Sequence, residues 1–88
     1  MITVKRFTAP WCAPCRALAP VLKSLETEMP DVKFEVVDID ASPDEASLNN
    51  IRSVPTVLVL RDDVVVSSLV GLNPKNKYVE AILIAQNA

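Results

Sequence analysis

The sequence has no histidine, and one glycine, Gly71, among its 88 residues. Without an imidazole there can be no Ser-His or Cys-His nucleophile pair and no His-ligated metal. Haem attachment through Cys-x-x-Cys-His is also excluded, because Arg16 follows Cys15. Only two cysteines are present, Cys12 and Cys15, and two ligands cannot close a tetrahedral zinc site within one chain. No basic cluster exceeds Lys5-Arg6. Nine Lys and Arg against eleven Asp and Glu leave a net charge of −2, so the basic stripe a nucleic-acid binder needs is missing. No apolar stretch approaches the ~20 residues that span a bilayer. No basic start leads into an apolar signal segment, so no secretory signal is expected and the cytoplasm is the expected location.

What is present is globular in character. Half the residues are apolar and 23% are charged, which is the balance of a folded chain. The length suits one domain over residues 1–88, with a small core. With glycine so scarce, the seven prolines do most of the punctuation.

Residues 2–8 are rich in β-branched and aromatic types and predict a strand, broken by Ala9-Pro10-Trp11. From about 13 to 29 the apolar positions Leu18, Val21, Leu22, Leu25 and Met29 follow a 3.6-residue period, opposite Lys23, Glu26, Thr27 and Glu28. That pattern predicts an amphipathic helix, with Pro20 kinking it from inside. Val32 to Asp38 reads as a second strand. Ser42-Pro43-Asp44-Glu45 reads as a capping box opening a short helix over about 43–50. Thr56 to Leu60 is apolar on both faces, as a central strand would be. Arg61-Asp62-Asp63 is a turn into a fourth strand over 64–69, antiparallel to the third. Asn73-Pro74 reads as cap and first position of a last helix, about 74–86, with Tyr78, Val79, Ile82 and Leu83 on its apolar side. The order βαβαββα predicts an α/β fold: a four-stranded mixed sheet with three flanking helices, distributed over both faces.

Chemistry concentrates at Cys12-Ala13-Pro14-Cys15, where the first strand gives way to the first helix. Cysteines three apart at a helix start come close enough to form a disulfide. Free N–H groups and the positive end of the macrodipole face Cys12 and favour its thiolate. Cys12, at the exposed end, is the expected attacking thiolate. Cys15, one turn in, is the expected resolving thiol, which closes the Cys12–Cys15 bond. Pro14 lacks an N–H and, with Ala13, shapes the turn. Trp11 offers a flat apolar surface beside the sulfurs for a substrate.

Trp11-Cys12-Ala13-Pro14-Cys15 resembles the active site of the thioredoxin family, whose usual form has Gly where this chain has Ala13. Four further features are similar. Pro20 matches the helix-kinking proline, and Phe7-Thr8-Ala9 matches the approach to the motif. Ile51-Arg52-Ser53-Val54-Pro55-Thr56 looks like the segment carrying the family's cis-proline, and Gly71 stands where thioredoxins have a glycine after the final strand. The resemblance implies that Pro55 is cis and packed against the disulfide. It also implies that an extended substrate segment hydrogen-bonds to Val54 and that Gly71 lets that backbone approach closely. By the same resemblance the partners are disulfide-containing proteins and a thioredoxin reductase, the chain is a monomer, and no cofactor is needed beyond the cysteine pair. The family's N-terminal strand and helix have no counterpart, which leaves the second strand at a sheet edge. Its charges Lys33, Glu35 and Asp38 suit that position.

Two positions depart from the family pattern. Arg6 stands where thioredoxins carry a buried acid, and Val36 where a lysine usually neighbours it. Arg6 either reaches beneath the motif, where it would favour thiolate, or snorkels to solvent along its alkyl stem. Two other functions fit the sequence less closely. A glutaredoxin would use glutathione, but it usually has Pro-Tyr between the cysteines, Thr at the position of Ser53 and a Gly-Gly pair near the last helix. A binding module could hold metal with the four thiolates of two chains.

Overall fold

A computed structural model describes residues 1–88 and places seven elements along the chain. They are β1 (Ile2–Thr8), α1 (Ala13–Glu28), β2 (Lys33–Asp38), α2 (Pro43–Leu48), β3 (Thr56–Arg61), β4 (Val64–Val70) and α3 (Lys75–Gln86). The sheet order is β2-β1-β3-β4. β1 and β2 are parallel, with Thr8 beside Asp38; β3 runs antiparallel to both β1 and β4. The expected order and mixed sheet are found, and β2 is an edge strand.

Alternation along β1 and β3 divides the interior in two. Ile2, Val4, Val57 and Val59 point to the face covered by α1 and α3, where they pack with Leu18, Leu22, Leu25, Tyr78 and Ile82. Phe7, Leu58 and Leu60 point to the other face, where they meet Val37 and Ala46 of α2. β3 is therefore apolar on both sides because both sides are covered. The β3–β4 hairpin closes through Asp62 and Asp63, both at positive φ (50° and 69°), as a two-residue turn of the twist-matching kind requires. Aspartate tolerates that region better than most residues. The terminal ammonium of Met1 pairs with Asp62 at 2.9 Å and fastens the turn to the chain start.

Pro20 lies inside α1 without ending it. Its missing N–H deprives the Arg16 carbonyl of an intrahelical donor.

Three local expectations fail, each for a visible reason. Ser42 precedes α2 and Pro43 opens it, but Ser42 makes no side-chain cap. Its N–H, which a capping box would bond, is already given to the Asp38 carbonyl at 2.8 Å, and the Glu45 carboxylate is drawn to Lys5 Nζ at 2.8 Å. Likewise Asn73 does not cap α3. Its carboxamide donates to the carbonyls of Val70 and Gly71, and Pro74 takes the cap position. Finally, the buried stripe of α3 is Tyr78, Ala81, Ile82 and Ala85; Val79 is half-buried and Leu83 exposed. Ala81 and Ala85 join the expected Tyr78 and Ile82 in the core, Val79 packs at its edge, and Leu83 is turned outward.

Candidate active site

The topology gathers four separated segments at one end of the sheet. β1 and β2 are parallel, so their carboxyl ends lie side by side, and Ile39 N–H extends the pairing to the Thr8 carbonyl at 2.9 Å. β3 runs the other way, so its first residue, Thr56, sits beside Phe7 and carries Val54-Pro55 to the same end. β4 ends there too, with Val70 opposite Thr56. Segments 9–12, 39–40, 53–55 and 70–71 thus meet where β1 hands over to α1.

Cys12 is the N-cap residue of α1, with extended backbone (φ −94°, ψ 105°). Its Sγ accepts the Cys15 N–H at 3.2 Å, the bond a capping hydroxyl would otherwise make. Cys12 and Cys15 are joined in a disulfide with Cα atoms 5.2 Å apart. Pro14 lies in the first turn, where a missing N–H costs nothing. In this oxidised state both sulfur residues are buried, Cys12 at 4% exposure and Cys15 at 1%. Cys12 is thus the outer of the two by a small margin, where the sequence suggested an exposed one. Ala9 completes the cystine's surroundings, with Ile39 and Val54 packed against it.

The structure places the remaining predicted residues as follows. Trp11 is 65% exposed beside the cystine, and its indole N–H donates to Asp40 Oδ2 at 3.1 Å. The Val54–Pro55 bond is cis, Pro55 is fully buried, and Val54 lies against the cystine. Neither the N–H nor the C=O of Val54 has a hydrogen-bond partner within the chain. Gly71 is tied to this loop through its N–H, which donates to the Pro55 carbonyl at 2.8 Å. A Cβ at Gly71 would meet no atom within 4 Å, whereas its φ of +81° lies in the region glycine favours. Tyr78 Oη supports the same turn from below, accepting the Asn73 N–H at 3.2 Å and donating to the Gly71 carbonyl at 3.3 Å.

Sequence reasoning missed Asp40, which orients Trp11, and Ile39, which packs on the cystine. A signal existed: Ile39 and Asp40 directly follow a strand parallel to β1, and the loops after adjacent parallel strands share an end of the sheet. Arg6 faces α1 from β1 and is half-buried. It lines a groove of about 450 Å³ between α1 and β2 and a cleft of about 260 Å³ reaching Cys15.

No group of three or more cysteine, aspartate or glutamate side chains converges as metal ligands, and no helix is long and apolar enough to cross a membrane. The Thioredoxin family model matches residues 1–83. The chain is 40% identical over 82 residues to a thioredoxin of Bacillus subtilis, covering 92% of this chain and 79% of that protein. It is 41% identical over 76 residues to a thioredoxin of Chlamydia trachomatis, covering 86% and 74%. The crystal structure of Fasciola hepatica thioredoxin superposes with a TM-score of 0.90 at 33% identity, covering 96% of this chain and 80% of that one. With a cystine capping a helix at the meeting point of four loops, a family model matching residues 1–83 and relatives about 40% identical over most of the chain, the chain belongs to the thioredoxin family of thiol–disulfide oxidoreductases.

Proposed function

We propose that the chain reduces disulfides of protein substrates, with Cys12 as nucleophile and Cys15 as resolving thiol. In the dithiol form, the N–H groups of the first turn of α1 and the helix dipole hold the Cys12 sulfur as thiolate. That thiolate attacks one sulfur of the substrate disulfide, and the other leaves as thiolate and takes up a proton. Cys15 then loses its proton and attacks Cys12 Sγ. The Cys12–Cys15 bond forms, the Cys12–substrate bond breaks, and two electrons have passed to the substrate.

The observation that carries the reading is the cystine held at the N-cap of α1 beside a backbone with no partner of its own. Val54 presents a free N–H and C=O next to the sulfurs, so an extended substrate segment can add to it as a strand. Trp11 supplies apolar area on one side of the sulfurs. The open space over Gly71 leaves room for the incoming chain on the other. The cis bond at Pro55 aims Val54 toward the site, and Ala13 and Pro14 keep the turn tight. The electron carrier is the cysteine pair itself. A thioredoxin reductase is the proposed donor, disulfide-bearing proteins the partners, and the cytoplasm, which keeps thiols reduced, the place of work. The chain acts as one domain and as a monomer, with neither nucleic acid nor membrane as partner.

The test is insulin-disulfide reduction, driven once by NADPH with a thioredoxin reductase and once by glutathione with its reductase. Turnover with the first is expected. Turnover with glutathione alone, or with neither, overturns the proposal.

A further inference from the structure

An arginine with no hydrogen-bonded or ion-paired partner for its side chain lines the cleft that reaches the resolving cysteine. Arg6 makes no hydrogen bond and no ion pair, and burial alone pushes its guanidinium below its usual pKa, though an arginine stays charged. The solvent-open cleft it lines is walled by Thr8, Pro10, Cys15, Arg16 and Asp38. Two of the cleft's three charged groups are already engaged. Arg16 of α1 donates to the Pro10 carbonyl at 3.0 Å, and Asp38 of β2 accepts the N–H groups of Asp40 and Ala41 through Oδ1. Lys23 and Glu26 of α1 and Glu35 of β2 line the outer groove around Arg6, and none pairs with it. Cys15 is 1% exposed, so water can do little for its anion.

We infer that Arg6 is a positioning residue for the resolving step: its charge, reaching Cys15 through the shared cleft, stabilises the Cys15 thiolate. This rests on the proposed role of Cys15. During resolution the Cys15 proton leaves into the cleft, and the anion left behind shares that cleft with the Arg6 charge in a medium less polar than water. Opposite charge in such a setting moves a titration toward the charged form. Resolution therefore proceeds at lower pH than an isolated buried thiol would allow, and the reduced form gains stability relative to the disulfide.

The experiment titrates Cys15 alone, in a Cys12→Ser background, by thiolate absorbance near 240 nm, with Arg6, Arg6→Gln and Arg6→Lys compared. Arg6→Gln removes the charge and leaves a shorter polar side chain. It is expected to raise the Cys15 midpoint by about one pH unit, a tenfold loss of thiolate at neutral pH, and Arg6→Lys to restore most of it. In the intact dithiol protein, Arg6→Gln also shifts the equilibrium with a glutathione buffer toward the disulfide. Coincident curves for Arg6 and Arg6→Gln, or Arg6→Lys behaving as Arg6→Gln, overturn the inference. The titration needs no turnover, so the two failures are distinguishable: a parent protein that does not reduce insulin sinks the proposed function and with it the resolving role of Cys15, whereas coincident titration curves sink the electrostatic link between Arg6 and Cys15.

Discussion

The two faces of the sheet are built unequally. The face under α1 and α3 gathers twelve buried residues into one cluster; the face under the six-residue α2 gathers five. Of the three partly buried residues bordering the smaller cluster, Ile39 and Val54 also pack against the cystine, and only Ile51 does not. The difference separates two duties. The thick face holds α1 rigidly enough to fix the Cys12 cap. The thin face borders the loops that must admit a substrate, and low local packing is what lets such loops open.

The sharpest way to break this comparison is one chemical change made on each face. Leu25 is fully buried between α1 and the sheet, whereas Leu60 lies on the thin face at 8% exposure. Leu→Ala in a core costs about 2–5 kcal/mol, and the amount depends on how far the surroundings can collapse into the space. Leu25→Ala is expected near the top of that range, since two helices and the sheet hold its walls apart. Leu60→Ala is expected near the bottom. Urea unfolding of both variants checks this, and equal losses would remove the distinction between the faces.

A smaller effect sharpens the link from the thick face to the site. Tyr78 is fully buried, and its hydroxyl serves both Asn73 N–H and the Gly71 carbonyl. Tyr78→Phe keeps the ring and loses both bonds, leaving a part-buried N–H without its acceptor. The expected cost is about 1 kcal/mol. The measurement that matters is amide exchange at Gly71. It should quicken more than exchange in β3 if the hydroxyl is what holds that turn.

On the thin face the corresponding polar tie is Lys5 to Glu45, from β1 to α2 at 2.8 Å. The hydrogen bond to Glu45 raises the Lys5 pKa, with the charge of Glu45 adding to it against a smaller lowering by burial. A raised lysine pKa means that the stabilisation is fully present below the ordinary value and is lost as pH rises through the folded one. Glu45→Gln is therefore expected to cost about 0.5 kcal/mol at neutral pH, less in high salt. The gap between the two proteins should close above about pH 10. Thermal melts across that range test the sign.

The same contrast explains what the sequence disclosed. Elements whose apolar spacing was decided by a neighbouring layer were readable: β1 and β3 from their β-branched runs, α1 from Leu18, Leu22 and Leu25. The buried stripe of α3 was readable in part: Tyr78 and Ile82 lie on it as expected, but Tyr-Val-Glu-Ala-Ile-Leu-Ile-Ala is apolar nearly all round, and the core takes Ala81 and Ala85 where the spacing suggested Leu83. Both expected side-chain caps failed because other partners won: Ser42 N–H bonds the nearby Asp38 carbonyl and Asn73 the nearby carbonyls of Val70 and Gly71, while Glu45 is drawn to the distant ammonium of Lys5. At the site, Cys12 and Cys15 were legible because their chemistry is local to one helix start. Asp40 on Trp11, and Arg6 with Asp38 in the cleft of Cys15, depend on pairing β1 with β2 in register, which no local pattern states.

The smallest expected effect joins the two helices of the thick face. Glu28 ends α1 and Lys75 begins α3, so each charge sits at the end of its helix where the dipole disfavours it. Their ion pair at 2.6 Å, joined by Ser24, lets each offset the other. The Lys75 and Ser24 hydrogen bonds hold the Glu28 carboxyl below its ordinary pKa. For a carboxyl so shifted, the stabilisation exists above the ordinary value and disappears as pH falls through the folded one. Glu28→Gln should accordingly differ from the parent at neutral pH and converge with it below about pH 4. The single change strands Lys75 at the start of α3, and Lys75→Gln alone strands Glu28 at the end of α1. Removing both charges takes away the attraction and both unfavourable ends together, so the double variant should melt closer to the parent than either single one. A double variant whose losses simply add would mean that the pair, exposed as it is, is not what ties α1 to α3, and that the buried cluster beneath it does so alone.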